Sequence, residues 1–193
     1  MKPIRCCITV LGVLLASSLA HAQPTWGLDK GSILIGGSAS YYEAGGEVQS
    51  FSTAKSWDLF PSAYYCVSPN FAVGGALLLS SETRSGFESS TLAGVGPGLM
   101  AFFADSTSAV YPFVGLNLFY AFLSRENMNS SSGTLRSMHG YALELSLGGT
   151  YMLNRSWGIT GMLYYQGQQL SENGDWKGGK RYGYRIGVTG FIF

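Results

Sequence analysis

The sequence predicts an all-β fold, an eight-stranded antiparallel up-and-down transmembrane β-barrel with long extracellular loops and short periplasmic turns. Three observations predict it. The chain is 46% hydrophobic and 14% aromatic but only 12% charged, about half the charged share of a soluble domain, so something other than water must cover part of its surface. No apolar run reaches the roughly 18 residues of a membrane helix; the longest beyond residue 22, FAVGGALLL at 71 to 79, is half that and holds two glycines. Stretches of strand length instead alternate bulky apolar residues with small or polar ones. In hydrocarbon only helices and closed barrels satisfy every backbone polar group, so a chain without such a helix meets lipid as strands.

The start of the chain reads as a targeting segment. Lys2 and Arg5 form a short positive region, Ile8 to Ala16 is an apolar core too short to span a bilayer, and Ala20-His21-Ala22 has the small-x-small pattern that signal peptidase cuts. Residues 1–22 are expected to be a cleaved signal peptide and 23–193 a single barrel domain starting at Gln23. Cys6 and Cys7 precede the apolar core, so lipid anchoring is not expected. Only Cys66 remains after cleavage, and one thiol cannot staple a fold internally. It reads as a small wall residue.

The eight segments follow in order. The first, 31–43, is separated by the long gap AGGEVQSFST from the second, 54–67, and the tight turn SPN at 68 to 70 leads into the third, 71–81. ETRSGFES precedes the fourth, 89–104, and the short DSTSA at 105 to 109 precedes the fifth, 110–123. The long RENMNSSSGTL opens onto the sixth, 136–153, the short NRS at 154 to 156 onto the seventh, 157–170, and the long SENGDWKGGK onto the eighth, 181–193. Long and short gaps alternate as they do in bacterial up-and-down barrels, with loops outside and turns in the periplasm. Four loops and three turns leave both termini on the periplasmic side.

Alternation assigns the faces. In YALELSLGGTY, Tyr141, Leu143, Leu145, Leu147 and Tyr151 oppose Ala142, Glu144, Ser146, Gly148 and Thr150. WGITGMLYYQGQQ repeats the pattern, with Trp157, Ile159, Leu163 and Tyr165 against Thr160, Tyr164, Gln166 and Gln168. WDLFPSAYYCV follows it more loosely. A helix would space its apolar residues three and four apart, and each glycine here would cost it about 1 kcal/mol. Beyond residue 22, only the charges of Asp58, Glu144 and Arg185 fall well inside segments. Aromatics do the reverse: Tyr41, Trp57, Tyr120, Tyr165 and Tyr182 lie near loop ends, and Tyr65, Phe71, Phe103, Tyr111, Trp157 and Phe191 near turn ends. That is the arrangement of two interfacial girdles.

KGSILIGGSASYY, SAYYCVSPNFAVGGALLL and the final strand RYGYRIGVTGFIF resemble the small bacterial outer-membrane β-barrel domain family, the eight-stranded relatives of OmpX and of the OmpA membrane domain. The resemblance spans essentially the whole mature chain and carries architecture more than activity. It implies the outer membrane as location, lipid and lipopolysaccharide as surroundings, and a final strand whose aromatics, Phe191 and Phe193, are read by the barrel-assembly machinery. The family usually points its last aromatic to lipid. Alternation here puts Phe193 on the inward face with Arg185, Gly187, Thr189 and Phe191, and a bulge near Gly190 would reconcile the two.

Few residues suggest chemistry. Asp58, Glu144 and Arg185 should point into a lumen just wide enough to be filled by side chains, where a charge needs a partner; an interior ion-pair network is expected. His139 is the one histidine of the mature chain. Outer-membrane lipid A deacylases place a histidine and a serine two residues apart beside a carboxylate, and here that position is Tyr141, with Ser137 on the other side and Glu144 five residues on. The histidine reads as a strand-end residue. No metal site is expected without a second histidine or a cysteine cluster, and no cofactor. The pairs at 36–37, 74–75 and 148–149 lack the Lys-Ser/Thr of a phosphate loop and read as relief of crowding in a curved wall. Asn129-Ser130-Ser131 matches a glycosylation acceptor that has no use in this compartment. A net charge of +1 gives no nucleic-acid footprint. Three functions follow in descending order: a structural or surface-interaction barrel, expected to be monomeric, a narrow channel for ions or small solutes, and a lipid-modifying enzyme.

Overall fold

The computed structural model describes residues 28–44, 54–84, 88–104, 108–127 and 134–193. The expected signal peptide, parts of three of the gaps facing the loop side, and the facing of Tyr41 lie outside the described residues. Eight strands are present: β1 (Ile33–Ala44), β2 (Ala54–Ser68), β3 (Phe71–Arg84), β4 (Glu88–Phe102), β5 (Val110–Asn127), β6 (Thr134–Met152), β7 (Trp157–Glu172) and β8 (Asp175–Ile192). Each pairs antiparallel with its sequence neighbours, and β1 pairs with β8 to close the barrel. The closing ladder is short, running only from Ile33↔Ile192 to Ala39↔Ile186. By contrast β5 and β6 pair from Val110↔Tyr151 to Asn127↔Thr134.

Local chemistry sets the turns. Asn70, with φ 62°, ends the SPN turn; its N–H donates to the Leu28 carbonyl at 3.0 Å, and its own carbonyl accepts from Phe102 N–H at 2.8 Å. Asn154 folds the turn between β6 and β7 through its side-chain oxygen, which accepts from Ser156 N–H at 2.9 Å and Trp157 N–H at 3.1 Å. The long loop expected at 171–180 is instead a tight hairpin between β7 and β8. Strand pairing continues to Glu172↔Asp175, and Asn173 (φ 52°) with Gly174 (φ 93°) forms a two-residue turn. Two left-handed residues in succession define the type I′ turn, whose twist matches that of the flanking strands. ETRSGFES is likewise mostly strand, since β3 and β4 pair to Arg84↔Glu88.

Alternation holds along the wall. Leu143, Leu145, Leu147, Ile159 and Leu163 are exposed on the outside, while Ala142, Glu144, Ser146, Thr150 and Thr160 are buried within. At Gly74 an added Cβ would stand 2.0 Å from the Ala63 carbonyl oxygen on β2, so only glycine lets the two strands approach this closely on the inner side. Trp57, Tyr120, Tyr165 and Tyr182 are exposed at one end and Tyr65, Phe71, Phe103 and Trp157 at the other. Tyr111 and Phe191 leave the expected turn-end girdle: both are buried. They share the inward parity of Phe113 and Arg185, and position along the strand did not decide their face.

Side chains fill the interior. One apolar cluster joins Leu28, Leu34, Tyr64, Cys66, Ala72, Phe102, Tyr111, Phe113, Met152 and Phe191. Leu28 belongs to the described N-terminal lead, which tucks under the turn end through Gly31 N–H to the Cys66 carbonyl at 2.9 Å. A second cluster gathers Phe60, Leu78, Leu92, Phe119, Met138, Leu170 and neighbouring alanines. Bulges are few among the described residues: the β2–β3 register shifts between Cys66 and Ser68, whereas β8 passes Gly190 in unbroken register with β1, and its ladder with β7 begins at that residue. The bulge expected at Gly190 is therefore absent. Ile192 points outward, and Phe193, just beyond the strand, is half exposed. Its ring stacks on Phe191 with centroids 6.4 Å apart and planes 13° apart, and the Arg155 guanidinium stands 5.8 Å from the ring centre.

Candidate functional site: a charged layer in the lumen

Three strands supply the middle of the lumen with buried charge. Inward parity brings Asp58 from β2, Glu144 from β6 and Arg185 from β8 inside, where all three are essentially inaccessible. Arg185 and Glu144 meet as a two-pronged pair, with Nη1 donating to Oε1 at 2.8 Å and Nη2 to Oε2 at 3.0 Å. This fork geometry is what makes arginine suited to a buried carboxylate. The guanidinium also lies over the Tyr164 ring at 3.9 Å and the Phe60 ring at 4.5 Å from their centres.

Asp58 has a different partner. Arg181, four residues before Arg185 and so on the same inward face of β8, donates to Asp58 Oδ1 at 3.0 Å and to Ser80 Oγ at 2.8 Å. Ser40 Oγ and the Tyr164 hydroxyl donate to Asp58 Oδ2 at 3.0 and 2.9 Å. Tyr164 thereby joins the two ion pairs, with its ring under one cation and its hydroxyl on the other pair's carboxylate. Around them, Tyr64 donates to Asn117 Oδ1 at 2.7 Å, and Thr150, Thr160 and Thr189 form a ladder with oxygens 2.8 and 2.7 Å apart. Both carboxylates are held by cations, so neither is placed as a free acid or base.

Sequence reasoning named three of these residues, placed Tyr164 on the inward face without a part in the network, and missed Arg181, Ser40 and Ser80. Arg181 reads as a strand-end cation beside a loop, and its partner lies 123 positions away in sequence. Its i+4 spacing from Arg185 was the available signal. The histidine constellation does not assemble: His139 and Ser137 are exposed on the outward face, and Glu144 is buried inside. Among the described residues no group of three metal-ligating side chains converges. Of the terminal aromatics, Phe191 is buried in the lumen and Phe193 stacks on it, half exposed.

An apolar outer belt, exposed aromatics at both ends and a closed antiparallel wall around two apolar clusters and a charged layer define an eight-stranded transmembrane β-barrel. Neisserial surface protein A shares this fold with a TM-score of 0.56 at 15% identity, over 84% of this chain and 98% of that structure. The outer membrane protein OprG from Pseudomonas aeruginosa does so with a TM-score of 0.54 at 15% identity, over 89% of this chain and 98% of the other. No family model matches the chain, and no curated protein matches it in sequence.

Proposed function

We propose that this chain is an integral protein of the bacterial outer membrane, delivered by a cleaved leader at 1–22, with both termini periplasmic and a structural or surface-directed role exercised by its loop-side rim. The filled lumen carries this reading. Between the two apolar clusters lie paired charges, and an interior cavity beside them measures about 40 Å³, room for a few waters at most. It is walled in part by Leu34, Met100, Phe102, Phe113 and Met162, which offer nothing to a hydrated ion. Planar-bilayer recordings of the refolded protein test this: the expected trace is silent, and steady openings of defined size would overturn it in favour of the narrow-channel reading. One observation favours that second reading, namely that Ser38, Asn117, Ser146, Thr150, Thr160 and Thr189 also line the cavity.

Within the same proposal the barrel stands as a monomer in lipid and lipopolysaccharide, without nucleic-acid partners, and the barrel-assembly machinery reads its last strand. The contrast between buried Phe191 and half-exposed Phe193 supports Phe193 as the aromatic available to such a reader. An enzymatic role is disfavoured by the opposite facing of His139 and Glu144.

A further inference from the structure

A shallow groove crosses the outward wall over β5 to β8. Its floor is one lateral row in which Leu118 pairs with Leu143, Leu143 with Gly167 and Gly167 with Lys180. The row on the loop side runs Tyr120, Tyr141, Gln169, Gly178, and the row on the turn side Leu116, Leu145, Tyr165, Tyr182. A Cβ added at Gly167 or Gly178 would meet nothing within 4 Å. These two glycines therefore leave an open notch in an otherwise bulky surface. Lys180 closes one end of it and has no ion-pair partner among the described residues, whereas the adjacent cations are matched, Lys177 by Glu172 and Arg181 by Asp58.

We propose that this groove seats a phosphorylated glycolipid of the outer leaflet, with an acyl chain along Leu118 and Leu143 and a phosphate on Lys180. The orientation rests on the outer-membrane reading above. Flanking rows of lipid-facing leucines and tyrosines leave the bilayer as what covers this face, and the trough ends at the level of the exposed girdle residues Tyr165 and Tyr182, where head groups begin. An unmatched ammonium at that depth attracts an anionic head group. Tyr141 offers a ring face and Gln169 an amide for sugar hydroxyls.

The test is native mass spectrometry of the refolded full chain in detergent with lipid A, dephosphorylated lipid A or phosphatidylglycerol, with folding of every variant checked by its unboiled migration. Lipid A is expected to be retained by the native sequence and by Lys180→Arg. Retention should fall roughly tenfold for Lys180→Gln and for the dephosphorylated lipid. Gly167→Leu, which fills the notch and keeps the lysine, should lose it as well. Equal retention by Lys180→Gln overturns the site, and equal binding of phosphatidylglycerol overturns the glycolipid as occupant. Fractionation of the native protein from cells separates the two levels: a protein that sediments with the outer membrane while Lys180→Gln keeps full retention refutes the groove alone.

Discussion

Arg185 is the bulkiest of the fully buried side chains, and its charge is held by one carboxylate and two aromatic faces. Removing that carboxylate leaves a cation stranded in the lumen. Glu144→Gln is therefore expected to lower stability by about 3–5 kcal/mol, and the double change Glu144→Leu with Arg185→Met by less, because a buried pair exchanged for apolar groups loses no partner. Urea refolding midpoints in lipid measure both, and a double variant weaker than the single would contradict the pairing. On the opposite face, Leu145→Arg should cost about 2–4 kcal/mol near the bilayer midplane. Its neighbour Ser146→Ala, inside the lumen, should cost about 1 kcal/mol or less in the same titration. Facing is the property of single residues that a period of two makes legible, and Asp58, Glu144 and Arg185 could be placed inside by counting. Partnership was not legible. Which carboxylate Arg185 meets depends on how neighbouring strands slide past one another, and no spacing within one strand records that register.

At the scale of elements, eight strands were readable and their ends were not. β8 begins six residues earlier than its aromatic alternation, because Trp176, Lys177, Gly178, Gly179 and Lys180 look like loop by composition while pairing fully with β7. The decisive local signal was Asn173-Gly174, a dipeptide that favours left-handed backbone at both positions. Gly174→Val should consequently destabilise the hairpin by about 1–2 kcal/mol, whereas Asn173→Gly should be nearly neutral. Amide exchange across Glu172 to Lys177 reports the difference, and a valine variant with unchanged protection would argue against the turn. Leu28 carried no signal in sequence, since a single leucine outside the alternating pattern gives no hint that it plugs the turn end. At the other extreme of β8, Phe193→Ala removes a half-exposed ring worth at most about 1.5–3 kcal/mol of burial. If assembly reads that ring, outer-membrane levels in cells should fall far more than the refolding midpoint does, and equal losses in the two measurements would refute the proposed role.

For the whole molecule, closure is the dominant fact. Every strand has two neighbours over part of its length, so no ladder can melt without exposing backbone to lipid. The unboiled protein is accordingly expected to migrate differently from the boiled one in denaturing gels, and identical migration would count against a closed barrel. Yet the cylinder is not uniform around its circumference. β1 and β8 share seven ladder pairs, and they join the two ends of the domain, so that single ladder spans the longest stretch of intervening chain and meets the largest closure entropy. Such a wall has a built-in zipper line. Folding is expected to finish there, since joining the first and last strands before the intervening hairpins have formed meets the largest closure entropy, and mechanical extension from the two ends should begin there as a peel that leaves the longer β5–β6 ladder clasped until last.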